Sequence, residues 1–193
     1  MSNETIKKNF LDNIIFFLKH NIKTVIILLV IVFISLLIGI FYNDLNKKKN
    51  IKISEQYTQA TIYIKQNKIN ESKLLLEKII NTDHKFYSPL ALYLIVENNI
   101  KYDKLKIISF FDKILKNKSI DRENLNLIKI KKAIYLIDLD KENLVIETLN
   151  PVINSNSVWK KIAINLISEY FLSKGQKNKA KEYSLLLNNT QKK

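Results

Sequence analysis

The chain has 193 residues, of which two are glycine, two are proline and none is cysteine. The missing cysteine excludes disulfides, thiolate metal sites and thiol catalysis, and it suits a reducing cytoplasm and a bacterial periplasm equally. The formal charge is +14, yet Arg122 is the only arginine; recognition of bases and phosphates draws on bidentate arginines, so this lysine excess does not point to nucleic acid.

Residues 1–23 read as a short tail before the span. Phe10, Leu11, Ile14, Ile15, Phe16, Phe17 and Leu18 give it an amphipathic stretch suited to a membrane surface. Residues 24–42, TVIILLVIVFISLLIGIFY, carry no charge. Nineteen helical residues rise about 28 Å, close to the roughly 30 Å hydrocarbon core of a bilayer. Tyr42 stands where an interfacial aromatic belongs. The run is longer than the core of a secretory signal, and the IFYNDLN that ends it offers no small-residue cleavage site. These features predict an uncleaved transmembrane helix. Lys7, Lys8, Lys19 and Lys23 precede the span and Lys47, Lys48, Lys49 and Lys52 follow it, so flanking charge is balanced and gives no orientation.

Residues 43–50 read as a basic linker, and residues 51–190 as one all-α domain. Scarce glycine and proline argue against a sheet, and apolar residues recur at helical spacing. Eight helices are predicted, at roughly 52–67, 70–82, 86–98, 102–117, 122–138, 141–152, 157–174 and 176–189. Pro89 falls in a first turn, Pro151 near a helix end, and Asp140 and Ser157 read as N-caps. Helices of this length on short connections predict antiparallel hairpins.

A repeat is visible in two places. Lys174-Gly175-Gln176-Lys177-Asn178-Lys179-Ala180 has the layout of the middle of a tetratricopeptide repeat, where alanine lets the second helix pack closely; Gln66-Asn67-Lys68-Ile69-Asn70-Glu71-Ser72 repeats it with Ser72 in the alanine's place. Asn67 and Gly175 are 108 residues apart, or three repeats of 36. Middle junctions are expected near Tyr102–Leu105 and Asp140–Leu144. The expected fold is thus a transmembrane helix followed by about four degenerate tetratricopeptide-like hairpins; the alternative is an unrelated helical bundle. The Leu74, Leu75, Ile79, Ile80 stripe is expected in the core.

No catalytic, cofactor or metal residues emerge. His20 and His84 lie on opposite sides of the span, and neither has a partner at ligand spacing. Two glycines cannot build a phosphate loop. Asp138, Asp140 and Glu142 cluster at a helix junction, where capping and the helix dipole account for them. Trp159 reads as a packing residue. The residues that would bind a partner are not legible, and the expectation is an interaction protein, with neither enzymatic activity nor a cofactor.

The order of features resembles the ancillary SecYEG translocon subunit family. The stretches that carry the resemblance are Ser54-Glu55-Gln56-Tyr57-Thr58-Gln59-Ala60, Asp83-His84-Lys85-Phe86-Tyr87-Ser88-Pro89-Leu90-Ala91-Leu92, Ser157-Val158-Trp159-Lys160-Lys161-Ile162-Ala163 and Leu172-Ser173-Lys174-Gly175-Gln176. The chain departs from that family in its high lysine content and its fewer alanines. The resemblance implies a bacterial inner-membrane protein with a cytoplasmic N-terminus and a periplasmic tetratricopeptide-like domain. It implies the SecYEG channel, periplasmic chaperones and secreted clients as protein partners, beside membrane lipid, with no nucleic acid and no small-molecule substrate. An envelope scaffold or cell-division coordinator is the alternative. A small regulator that binds anionic lipid or polymer through its lysines is a third class.

Overall fold

A computed structural model of the chain describes residue 16 and residues 20–188, the side chains of Val25 and Asn188 excepted. The expected amphipathic stretch, Phe10 to Leu18, falls almost wholly outside these residues. From Ile22 onward the described chain forms eight helices and no strand: α1 (Ile22–Lys65), α2 (Ile69–Ile80), α3 (Tyr87–Glu97), α4 (Lys104–Leu115), α5 (Arg122–Asp138), α6 (Glu142–Ile153), α7 (Lys160–Ser173) and α8 (Lys177–Asn188). It divides into two compact units, Met1–Lys52 and Ile53–Lys193.

In the first unit, α1 is long and apolar enough to cross a membrane, and none of its apolar window is buried. A core helix of a soluble protein would hide these side chains; Leu29, Phe33, Leu36 and Ile40 instead stay exposed. Ser35 spares the stretch an unsatisfied hydroxyl by donating to the Val32 carbonyl at 2.7 Å. Residues 43–50, expected as a linker, are helical and continue α1 without a break. Lysine is a good helix former, and the run contains no glycine or proline to stop it.

The second unit is organised by its turns. Asn67, Asn99, Asp140 and Gly175 all have left-handed backbones, with φ of 57, 51, 53 and 72°. They follow α1, α3, α5 and α7, and each closes its helix with the same two bonds. The first runs from the residue after the turn to the carbonyl five back: Lys68 to Tyr63, Ile100 to Ile95, Lys141 to Leu136 and Gln176 to Phe171, at 2.8–3.1 Å. The second runs from the turn residue itself to the carbonyl three back, at 3.0–3.2 Å. This is the Schellman closure, which asks for glycine or a short polar residue able to adopt the left-handed region. Asp140, expected as an N-cap, is therefore the terminator of α5. The junction expected near Tyr102–Leu105 runs from the left-handed turn at Asn99 to the Asp103 cap that accepts from Leu105. Asp103 and Asp121 act as N-caps of α4 and α5, accepting from the Leu105 and Asn124 amides.

Two apolar clusters fill the unit, and they divide along α5. Ile128 belongs with Leu76, Ile80, Leu92 and Phe111, whereas Ile130 belongs with Leu149, Ile164 and Phe171. Each α5 face thus serves a different neighbour. In α2 the buried stripe is Ser72, Leu76, Ile79 and Ile80. Leu74, expected in the core, is 72% exposed, because 100° per residue carries it to the opposite face.

Ser72 is fully buried and its hydroxyl has no hydrogen-bond partner among the described residues. Ala180 occupies the matching place in the last pair, 2% exposed. Ser72→Ala removes an unsatisfied hydroxyl without opening a cavity, and should raise stability by about 1 kcal/mol in denaturant unfolding.

Most polar contacts between helices span 20 to 37 residues of chain, and several of them fall at 33 or 34. Ser54–Tyr87, Asp83–Asn117, Glu97–Lys131, Glu123–Ser157 and Glu142–Gln176 are each 33 or 34 residues apart. Among the described residues six ion pairs join different helices or their connectors: Glu77–Lys106, Asp83–Lys113, Glu97–Lys131, Asp112–Lys132, Asp140–Lys174 and Glu142–Lys179. In every one the carboxylate comes earlier in the chain and the lysine later. Six of the many lysines therefore hold one helix pair against the next.

These contacts make a pH dependence. The Lys174 hydrogen bond and charge hold Asp140 below its usual range, and hydrogen bonds from Lys179 and Gln176 do the same for Glu142. A carboxylate favoured in the folded state contributes stability that is present above its ordinary value and lost as pH falls through the folded one. Stability should therefore decline below about pH 4.5, and Asp140→Asn with Glu142→Gln should flatten that decline in urea titrations followed by circular dichroism.

Candidate functional site

Among the described residues no three His, Asp or Glu side chains gather as a metal site would require. His20 stacks on Phe16 at 6.1 Å, in the Met1–Lys52 unit. His84 is more than a turn residue: its Nδ1 accepts from the Phe86 and Tyr87 amides, both at 3.1 Å, and so caps α3. Asp140 and Glu142 are engaged by Lys174 and Lys179 between α5–α6 and α7–α8, as above. Ser157, expected as an N-cap, accepts from the Trp159 amide at 3.1 Å and donates to Glu123 at 2.6 Å, fixing the entry to α7 one period after α5 begins. Trp159 is half-buried against the second apolar cluster.

Three hollows deserve comparison. The largest, about 680 Å³, is a shallow polar cleft around Asp83, Asp112, Lys113 and Asn117. Its groups are engaged with one another: Lys113 reaches Asn81 at 2.9 Å and Asp83 at 3.6 Å, and Asn117 donates to the Asp83 carbonyl at 2.6 Å. That cleft is a helix-pair junction.

The other two lie along the seam between α3 and α5, the opening helices of adjacent pairs. One, about 160 Å³, is walled by Phe86, Pro89, Leu90, Tyr93, Leu127 and Ile128, with Lys85 and Asn124 at its edge. The other, about 170 Å³, lies between Tyr93, Val96, Phe111, Ile134 and Tyr135, with Glu97, Lys131 and Asp138 as its polar groups. Tyr93 belongs to both and divides them. Pro89 is compatible with this place because it sits in the first turn of α3, where no intrahelical amide is needed.

The seam is polarised. Lys131 stands 5.4 Å over the Tyr93 ring and 3.5 Å from Glu97. Burial and the Glu97 charge push the Tyr93 hydroxyl up to about 12, so it stays protonated at any physiological pH. Burial, then Asp103 and Asp138, raise Tyr135 as well. At the far end Lys85 is the charged group. Phe86 and Ile134, 59% and 43% exposed, leave apolar surface open beside the two hollows.

The sequence gives no signal for this seam beyond the spacing of Leu127, Lys131, Ile134 and Asp138, which share one face of α5. Nothing in that spacing tells a solvent face from a core face. Comparison with protein-family models, with curated proteins and with solved structures finds no match to this chain.

Proposed function

We propose that this chain is a single-pass protein of the bacterial inner membrane, with a cytoplasmic N-terminus and a tetratricopeptide-like domain in the periplasm. It serves as an ancillary subunit of the SecYEG translocon, linking the channel to periplasmic chaperones or secreted clients. It works by binding protein, without catalysis. The observation that carries the reading is the pairing of an exposed apolar helix with helix pairs joined by several polar contacts between residues 33 or 34 apart. Tetratricopeptide units have that length, and each contacts only its neighbours. The four like turns support the same reading, and the stretches Asp83–Leu92 and Leu172–Gln176 add the translocon resemblance. An anchor raises the effective concentration of the domain beside a membrane complex, so weak contacts suffice for association.

Affinity purification of the full chain in mild detergent, followed by mass spectrometry, tests this. Channel components and periplasmic chaperones should co-purify above an unrelated single-pass control. Their absence overturns the translocon reading, and concentration of the protein at midcell would favour the division-coordinator alternative.

A further inference from the structure

The α3–α5 seam has the form of a receptor for a particular kind of segment. We infer that it binds a short extended stretch of another protein carrying two large apolar side chains three residues apart, flanked by an acidic residue toward Lys85 and a basic residue toward Glu97 and Asp138. This rests on the reading of the domain as a protein-binding module and names its ligand chemistry.

Volume sets the anchors. The two hollows measure about 160 and 170 Å³; an apolar cavity near 150 Å³ accommodates a benzene ring, so each takes one large side chain. Spacing sets the backbone. The residues of the two hollows are centred six to eight positions apart along α3 and α5, which at 1.5 Å per residue is about 9–12 Å. A polyproline-type chain rises 3.1 Å per residue with three residues per turn, so same-face side chains recur about every 9 Å. A bound helix would also press an intermediate side chain, three or four positions on, against Tyr93, the side chain that lines both hollows and stands between them. The extended chain turns its two intermediate residues away. Charge sets the ends. Lys85 edges one hollow, whereas Glu97 and Asp138 outnumber Lys131 at the other.

The test uses full-length protein in detergent micelles and fluorescein-labelled Gly-Asp-Phe-Pro-Ser-Leu-Lys-Gly, titrated by anisotropy. Saturable binding should weaken at least tenfold when the Pro-Ser spacer is deleted. Ile134→Lys should weaken it at least tenfold while the thermal melt, read by circular dichroism, stays within a few degrees. Asp138→Lys should weaken this peptide at least threefold and leave a version with Ser in place of its Lys unaffected. Equal binding of the spacer-deleted peptide overturns the inference, as does indifference to Ile134→Lys. Tighter binding by a helical peptide with its anchors seven residues apart overturns it too. The two readings fail separately: peptide binding of this pattern without channel components in the purification retains the seam and removes the translocon, and the converse removes the seam alone.

Discussion

Phe33→Arg together with Leu37→Lys should move the protein from the carbonate-resistant membrane pellet to the soluble or aggregated fraction. Phe33 is the midpoint of the uncharged stretch from Thr24 to Tyr42, and Leu37 lies one turn on. The stretch holds fifteen Val, Ile, Leu and Phe residues. At about 0.3–0.6 kcal/mol each they favour insertion by roughly 4–9 kcal/mol. A charge near the helix centre costs about 2.5–3.5 kcal/mol, so two cancel most or all of that margin. Ser35 shows how a polar group is tolerated here: its hydroxyl is bonded within the helix. A lysine or arginine has no such partner among Leu29, Ile34, Leu36 and Ile40. Retention of the double variant in the pellet would mean that another part of the chain holds the membrane.

Phe171→Ala should cost about 3–5 kcal/mol, the usual range for truncating a buried phenylalanine. Phe171 is fully buried and stacks on Tyr183 at 5.6 Å with rings 16° apart, which joins α7 to α8. Whole domains are stable by only about 5–15 kcal/mol, so the loss is severe. It should also be local. The apolar clusters part between Ile128 and Ile130, so the damaged contacts belong to the cluster formed with α6, α7 and α8. Hydrogen exchange should show lost amide protection in α7 and α8 first, with α2 and α3 retaining most of theirs. Uniform loss from α2 to α8 would mean that the unit unfolds as one block and that the pairs are not the cooperative elements.

Much of the fold is readable from residues. The periodicity places seven of the helices within three residues of their observed limits, since amphipathic spacing and short polar connections act locally. The first helix fails because nothing in Lys47-Lys48-Lys49 stops a helix that has already formed. Asp140 fails for a related reason. A short polar residue between two helices serves as a terminator or as a cap, and the choice depends on whether the backbone turns left-handed there. Leu74 fails because three apolar residues in a row, Leu74, Leu75 and Leu76, cover more than one helix face, and only packing selects the buried one.

The candidate site was far less legible. Tyr93 of α3 lies more than thirty residues before Leu127 and Ile134 of α5, and their meeting depends on the stacking of one pair on the next. The ion pairs are similar: composition alone gave a lysine excess, whereas the structure assigns Lys106, Lys113, Lys131, Lys132, Lys174 and Lys179 to carboxylates of earlier elements. His84 shows the same gap at short range, because only coordinates reveal an imidazole turned back onto two amides.

The central claim, an anchored domain outside the cytoplasm, is open to a simple test because the chain has no cysteine. Lys118→Cys places a single thiol at an exposed position in the connector between α4 and α5. In intact spheroplasts, a membrane-impermeant maleimide should label it as fully as after lysis. Labelling that appears only on lysis would put the domain in the cytoplasm and contradict the account.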